Sequence, residues 1–325
     1  RVEAALGHCE PDRTPVFEYV LLSPLADVVL GRPYVVDERH WGDAVASMGW
    51  ERAVRQRAID SLDLAQCLGH DLVYVLPNPM PPVRGSGSGN GNRACVLDDP
   101  VVAVRMRNAR AREESLPSED TMLVYGLLKE EMSDRGLDLP ILAPAYAHGI
   151  WTDTDLMQTM LLAPEVAAEH FAIATERCFA LIDAYAAFGV DQVGVGGDFA
   201  GNRPLVSPEF YRKFIMPEVR RTVAHPHSRG LRAVNASDGN LWSVIQDFLL
   251  GTGVDGYIEI DRFAGMDLAR LKREYGDRVT FYGNMDCGNT LSFGSPEVIR
   301  AETVRCIEDG LGSGGHIFCA SNAIT

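Results

Sequence analysis

Apolar residues along the chain fall into short continuous runs separated by longer stretches with helical spacing. Residues 1–7 form a short helical beginning closed at Glu10-Pro11-Asp12-Arg13, and 14–20 then read as a first strand with Pro15 at its start and Glu18 and Tyr19 at its far end. Residues 41–69 carry apolar side chains every three or four positions, predicting a long helix before a strand at 70–76. The Asn78-Pro79-Met80-Pro81-Pro82 stretch stops that strand. From Pro117 the alternation is regular. Helices are expected to Arg135, across a paired stretch 154–188, and over 207–229, 241–250, 267–275 and 295–311; the strands between them are 140–146, 190–196, 231–235, 254–260, 279–282 and 316–320. Ser207-Pro208-Glu209 supplies a capping hydroxyl, a proline at the first helical position and an acid in the first turn.

Eight apolar strands alternating with helices predict an α/β fold, a single-domain (β/α)8 TIM barrel over residues 1–325, with a doubly wound open sheet as the alternative. A helix ordinarily follows the eighth strand, so the end at Thr325 predicts that the given sequence stops short of that final helix.

Composition narrows the function classes. A net charge of -15 disfavours a nucleic-acid partner, because phosphate binding needs clustered Lys and Arg. Seven scattered cysteines without a Cys-x-x-Cys pair encode neither a disulfide framework nor a zinc ribbon, which fits a reducing cytoplasm. No apolar run approaches the ~20 residues that span a bilayer, and the first eleven residues hold no secretory apolar region, so a soluble cytoplasmic protein with no membrane association is expected. The Gly/Ser-rich segment 85–92 reads as a flexible loop. It lacks the lysine or helix start that a phosphate cradle needs, with Arg93 the one nearby cation, so no nucleotide cofactor is expected.

Barrels of this class keep their chemistry at the C-terminal ends of the strands. The polar residues there are His148, Asp198, Asp238, Asn240, Glu259, Asp261, Asn284, Asp286, Cys287, Cys319, Ser321 and Asn322. Crowded carboxylates raise one another's pKa and then share protons, pair with cations or hold a metal. Asp198 lies too far upstream of the helix at 207 to cap it, and Asp238 follows the strand directly, so both are candidate catalytic acids. His148, Asn240, Asn284, Asp286 and Asn322 are candidate substrate contacts, although Asn240 also suits a helix cap and Asp267 is expected to be one.

Four segments carry a family resemblance: residues 1–16, Ser207-Pro-Glu-Phe-Tyr with Phe214-Ile-Met-Pro217, Ala264-Gly-Met-Asp-Leu with Lys272-Arg-Glu-Tyr-Gly-Asp277, and Tyr282-Gly-Asn-Met-Asp286. With them nearly the whole chain resembles the uroporphyrinogen decarboxylase superfamily, which includes cobamide-dependent methyltransferases that use zinc to activate a thiol. Decarboxylases of that superfamily carry an arginine-rich segment just after the first strand for a polycarboxylate substrate, where this chain reads Phe17-Glu-Tyr-Val-Leu-Leu-Ser-Pro24. Uroporphyrinogen is therefore disfavoured as substrate.

The methyltransferase branch implies a zinc ion held by His-x-Cys after the fifth strand and a Cys near the eighth. Here Ala236 and Asp238 occupy the first two places and Cys319 lies near the third, so Asp238 and Cys319 with Glu259 are the expected ligands, His148 being a further candidate. The leading expectation is a methyltransferase-like enzyme that passes a methyl group between a corrinoid, supplied by a partner protein, and a small-molecule acceptor. A metal-free decarboxylase or lyase acting on a small carboxylic acid through Asp198 or Asp238 is the second, and a non-catalytic corrinoid-protein binding partner the third. A homodimer stays open.

Overall fold

The computed structural model describes residues 1–82, 99–114 and 117–325, so the Gly/Ser-rich loop at 85–92 lies outside the described residues. Seven parallel strands form one sheet in chain order: β1 (Val73–Tyr74), β2 (Ile141–Pro144), β3 (Gln192–Gly196), β4 (Arg232–Ala236), β5 (Gly256–Ile258), β6 (Thr280–Tyr282) and β7 (His316–Ile317). Each coincides with a run that the sequence pattern assigns to a strand, β4 extending one residue beyond its run at 231–235.

The run at 14–20 is reduced to single bridges, yet it closes the sheet. Phe17 donates its N–H to Phe318 at 3.1 Å on one side, and Asp71 donates to the Val16 carbonyl at 2.7 Å on the other. Leu22 and Val20 bond likewise to Ile324. Pro15 lacks a donor, and the Asp71 carboxylate takes the Val16 N–H at 3.0 Å, so the ladder cannot run on regularly here. The result is a closed (β/α)8-type barrel.

Alternation along the strands sorts the apolar residues into two cores. Ile141, Ala143, Val193, Val195, Ala233, Tyr257 and Phe281 face the surrounding helices. Leu142, Val234, Ala236, Ile258, Tyr282, Ile317 and Cys319 fill the interior with Phe17 and Tyr19, and helix Val2–Leu6 plugs the N-terminal end through Val2, Ala5 and Leu6. Thr280 and Gly315 both donate to the Ala5 carbonyl, which fastens that plug.

The helices differ from the sequence reading in several places, among them helix Leu25–Leu30, which lies where no element was expected. The stretch 41–69 becomes helices Glu38–Met48 and Trp50–Leu68, because Gly49 sits at φ +85, a conformation that continues neither. Helix Pro100–Glu113 was not foreseen: its outer face is rich in arginine and hides the apolar spacing, although Asp99 caps it through Val101 and Val102 and Pro100 holds its first position. The expected helix 241–250 is short and ends in a wide turn, Asp247–Gly251. Among the described residues no helix is long and apolar enough to cross a membrane.

Candidate functional site

Three carboxylates meet at the C-terminal mouth of the barrel. Asp198 follows β3, Asp238 follows β4 and Glu259 follows β5, and one oxygen from each lies within 4.8 Å of the others. Glycine makes this crowding sterically feasible. A Cβ on Gly197 would approach the Gly149 nitrogen to 2.7 Å, and one on Gly239 the Gly201 carbonyl to 2.4 Å, so the segments bearing Asp198 and Asp238 nest against neighbouring backbone as only glycine permits. Glu259 itself adopts φ +72, a left-handed conformation that costs a side-chain-bearing residue roughly 1–2 kcal/mol. Such a position, held by the fold, aims the Glu259 carboxylate at the other two.

The local hydrogen bonds orient the acids without neutralising them. The Asp238 N–H donates to Asp198 Oδ1 at 2.9 Å, and Asn322 Nδ2 donates to Asp238 Oδ2 at 2.5 Å. Burial, reinforced by the Asp198 and Asp261 carboxylates, pushes Asp238 up to about 7 against the pull of Asn322. Burial and the Asp238 and Asp198 charges raise Glu259 well above the usual carboxylate range, the Tyr19 phenol opposing weakly. Above the triad opens a cavity of about 390 Å3 whose wall carries Asp198, Asp238, Asp261 and Asp286, with Trp151 and Phe263 exposed at its edge. Among the described residues its lining includes no lysine, arginine or histidine.

Several residues read from the sequence as site groups lie elsewhere. His148 is fully buried in the helix layer, 2.9 Å from the Thr175 hydroxyl and stacked on Phe171, where burial lowers it to about 4, and it does not line the mouth cavity. Asn240 caps the following turn, accepting from Trp242 and donating to the Ala264 carbonyl. Asn284 is buried behind the mouth between the Met266 carbonyl and Arg305. Cys319 does not join the carboxylates: it is sealed in the barrel interior at 0% exposure, and burial drives its thiol well above its ordinary range. Of the three residues expected as ligands, Asp238 and Glu259 lie together and Cys319 lies apart, with Asp198 as the third carboxylate of the cluster. Asp286 and Asn322 do line the cavity, Asp286 also capping the turn Cys287–Leu291. The Tyr19 phenol, at the end of the first run, bonds to Glu259, and the Tyr257 phenol, from the middle of β5, donates to the Ser237 carbonyl at 3.3 Å.

The family profile described as uroporphyrinogen decarboxylase (URO-D) matches residues 141–325, which covers β2 to the last residue and every member of the carboxylate triad. The chain belongs to the uroporphyrinogen decarboxylase family. Within the family it is 28% identical over 147 residues to a uroporphyrinogen decarboxylase of Chlorobaculum parvum, covering 42% of this chain and 39% of that protein. It is 33% identical over 125 residues to one of Burkholderia thailandensis, covering 35% and 31%. The matched region therefore spans less than half the length of these relatives. In fold it is similar to a methyltransferase from Methanosarcina mazei, with a TM-score of 0.70 at 17% identity over 99% of this chain and 92% of that one.

Proposed function

We propose that this member of the family is an enzyme that moves a methyl group between a corrinoid carried by a partner protein and a small acceptor, with the reaction centred on Asp198, Asp238 and Glu259. The observation that carries the reading is the triad itself, three crowded carboxylates beneath a cavity that, among the described residues, offers them no basic partner. Crowded acids of this kind either retain protons or take up a cation. A divalent ion fits the set: three carboxylates suit a hard cation such as magnesium or manganese, and zinc also accepts carboxylate donors. Asp198, Asp238 and Glu259 would hold it, and when bound it would supply Lewis-acid activation of an acceptor such as a thiol.

The chain's own residues account for the rest. Asn322 fixes one Asp238 oxygen, leaving the other to face the triad. In the metal-free site burial and the neighbouring carboxylates hold Asp238 up to about 7; as a metal ligand it would be ionised. The acidic wall repels a polycarboxylate in this cavity, which favours an uncharged or weakly charged acceptor. Trp151 and Phe263 give the mouth an apolar edge suited to a docking partner.

Metal analysis and a transfer assay test the proposal. Protein purified without chelator should carry about one equivalent of a divalent metal, lost in Asp238→Ala and Glu259→Ala, and the loaded protein should demethylate methylcobalamin in the presence of a thiol. Less than about a tenth of an equivalent, with no uptake from added zinc, refutes the metal-centred form.

The value of about 7 at Asp238 favours a second reading, a metal-free lyase or decarboxylase in which that carboxyl moves the proton. It requires metal-independent turnover that disappears in Asp238→Asn.

A further inference from the structure

Helix Trp50–Leu68 carries a buried arginine that the site described above does not use. Arg57 is 5% exposed, and its guanidinium lies 5.3 Å from the centre of the Trp41 ring. Nη1 donates to the Val36 carbonyl at 3.0 Å, the guanidinium's one hydrogen bond among the described residues, while Nε is buried without a partner. Neighbouring arginines are paired: Arg39 with Asp37 at 3.1 Å, and Arg32 with Asp60 and Asp63 at 2.7 and 2.5 Å. Of the acids, Glu38 is the one whose field reaches Arg57, and it is exposed. A buried cation left in this state is costly, and an anion in contact offsets the cost.

Arg57 faces a second cavity of about 390 Å3, separate from the carboxylate mouth. Leu21, Leu64, Val73, Val75 and Val124 make its walls apolar, and Tyr19 and Tyr74 stand where it approaches the barrel interior. Glu38 shares the lining and acts on Arg57 only through its field, and among the described residues no acid forms an ion pair with Arg57. Asp37 is engaged by Arg39, burial lowers His70 to about 4 so that it is uncharged, and burial lifts Glu18 to about 7.

We propose that this cavity binds a small organic acid with one carboxylate and an apolar body, the carboxylate taken by the Arg57 guanidinium and the body lying on the walls toward Tyr19 and Tyr74. A guanidinium forms a charge-assisted hydrogen bond with a carboxylate. A phosphate carries more charge and more acceptor oxygens than this one partly engaged guanidinium satisfies, and Arg39, the other cation in the lining, is already paired. The apolar walls select for a hydrocarbon body over a sugar or a polyacid, and the volume suits a small molecule. The inference depends on neither reading of the carboxylate triad.

Binding is measured in chelator, without metal or corrinoid, so its result is separate from the test of metal and methyl transfer. Benzoate, benzamide and inorganic phosphate are titrated by calorimetry and by tryptophan fluorescence, with Trp41→Phe identifying the reporter under Arg57. Benzoate should bind saturably, with benzamide and phosphate about tenfold weaker or more. Arg57→Met should lose about tenfold or more of the benzoate affinity, and Arg57→Lys should keep part of it. Circular dichroism confirms that each variant is folded, and the benzoate–benzamide comparison stands on the unaltered protein if one is not. Absence of benzoate binding, equal affinity for benzamide, tighter binding of phosphate, or unchanged affinity in folded Arg57→Met would overturn the proposal.

Discussion

Replacing Asp238 by Asn should stabilise the metal-free protein at alkaline pH while changing little at pH 5. The Asp238 carboxyl titrates at about 7 in the folded chain against an ordinary 3.8, so between those values the folded state binds more protons than the unfolded one. Stability therefore falls as pH rises through that window. A gap of about three units at 1.36 kcal/mol each sets an upper limit near 4 kcal/mol, and solvent reaching this partly buried group brings the expectation to about 2–3 kcal/mol. Asparagine has the same shape, does not titrate, and relieves part of the pressure on Glu259, whose shift has the same sign. The assay is urea unfolding of both proteins in chelator at pH 5 and pH 8. The parent should lose about 1–2 kcal/mol more over that interval than Asp238→Asn does, the part of the shift between 3.8 and 5 being already lost at the lower pH, and saturating zinc at pH 8 should restore the parent alone. Parallel stability–pH curves for the two proteins would refute the electrostatic account of the triad.

Four further outcomes follow from the geometry. Glu259→Gly should raise the denaturation midpoint of the metal-free protein, since it removes both the strain at φ +72 and a buried acid, a gain of about 1 kcal/mol or more that Glu259→Ala should not fully match. Gly239→Ala should cost about 2–4 kcal/mol, because its Cβ meets the Gly201 carbonyl at 2.4 Å; Gly253→Ala, at a similar positive φ in open space, should cost about 1 kcal/mol in the same unfolding series. His70, His148 and His316, each lowered to about 4 by burial, should remain neutral at pH 5.5 in an NMR titration of the eight imidazoles; their contribution is present above 6.5 and is lost as pH falls toward 4. Cys319→Ala should leave metal content unchanged, and Cys319 should resist thiol reagents until the protein unfolds.

The barrel was legible because its signals are local. A strand buried on both faces must read as a short apolar run, and a helix covering it must show apolar residues every three or four positions. Ser207 and Asp267 cap their helices as their flanking residues announce. Helix Pro100–Glu113 escaped notice because its exposed arginines interrupt that spacing, and the first strand shrank to bridges because a proline and an aspartate side chain displace its ladder. Listing the polar residues at strand ends brought Asp198, Asp238 and Glu259 into view together, but the same rule admitted His148, Asn240 and Asn284. A residue's position after a strand does not reveal whether its side chain turns inward, caps a helix or packs behind the sheet.

By itself the sequence determined the order of strands and helices and the end of the barrel where the polar residues gather. These depend on residue type and spacing along the chain. Only the tertiary structure decided which acids meet, why Cys319 lies apart from them, and that Arg57 lies buried without a counter-ion among the described residues. Those outcomes depend on distances between residues from different strands and on how deeply each is shielded from water, which the closure of the barrel alone sets.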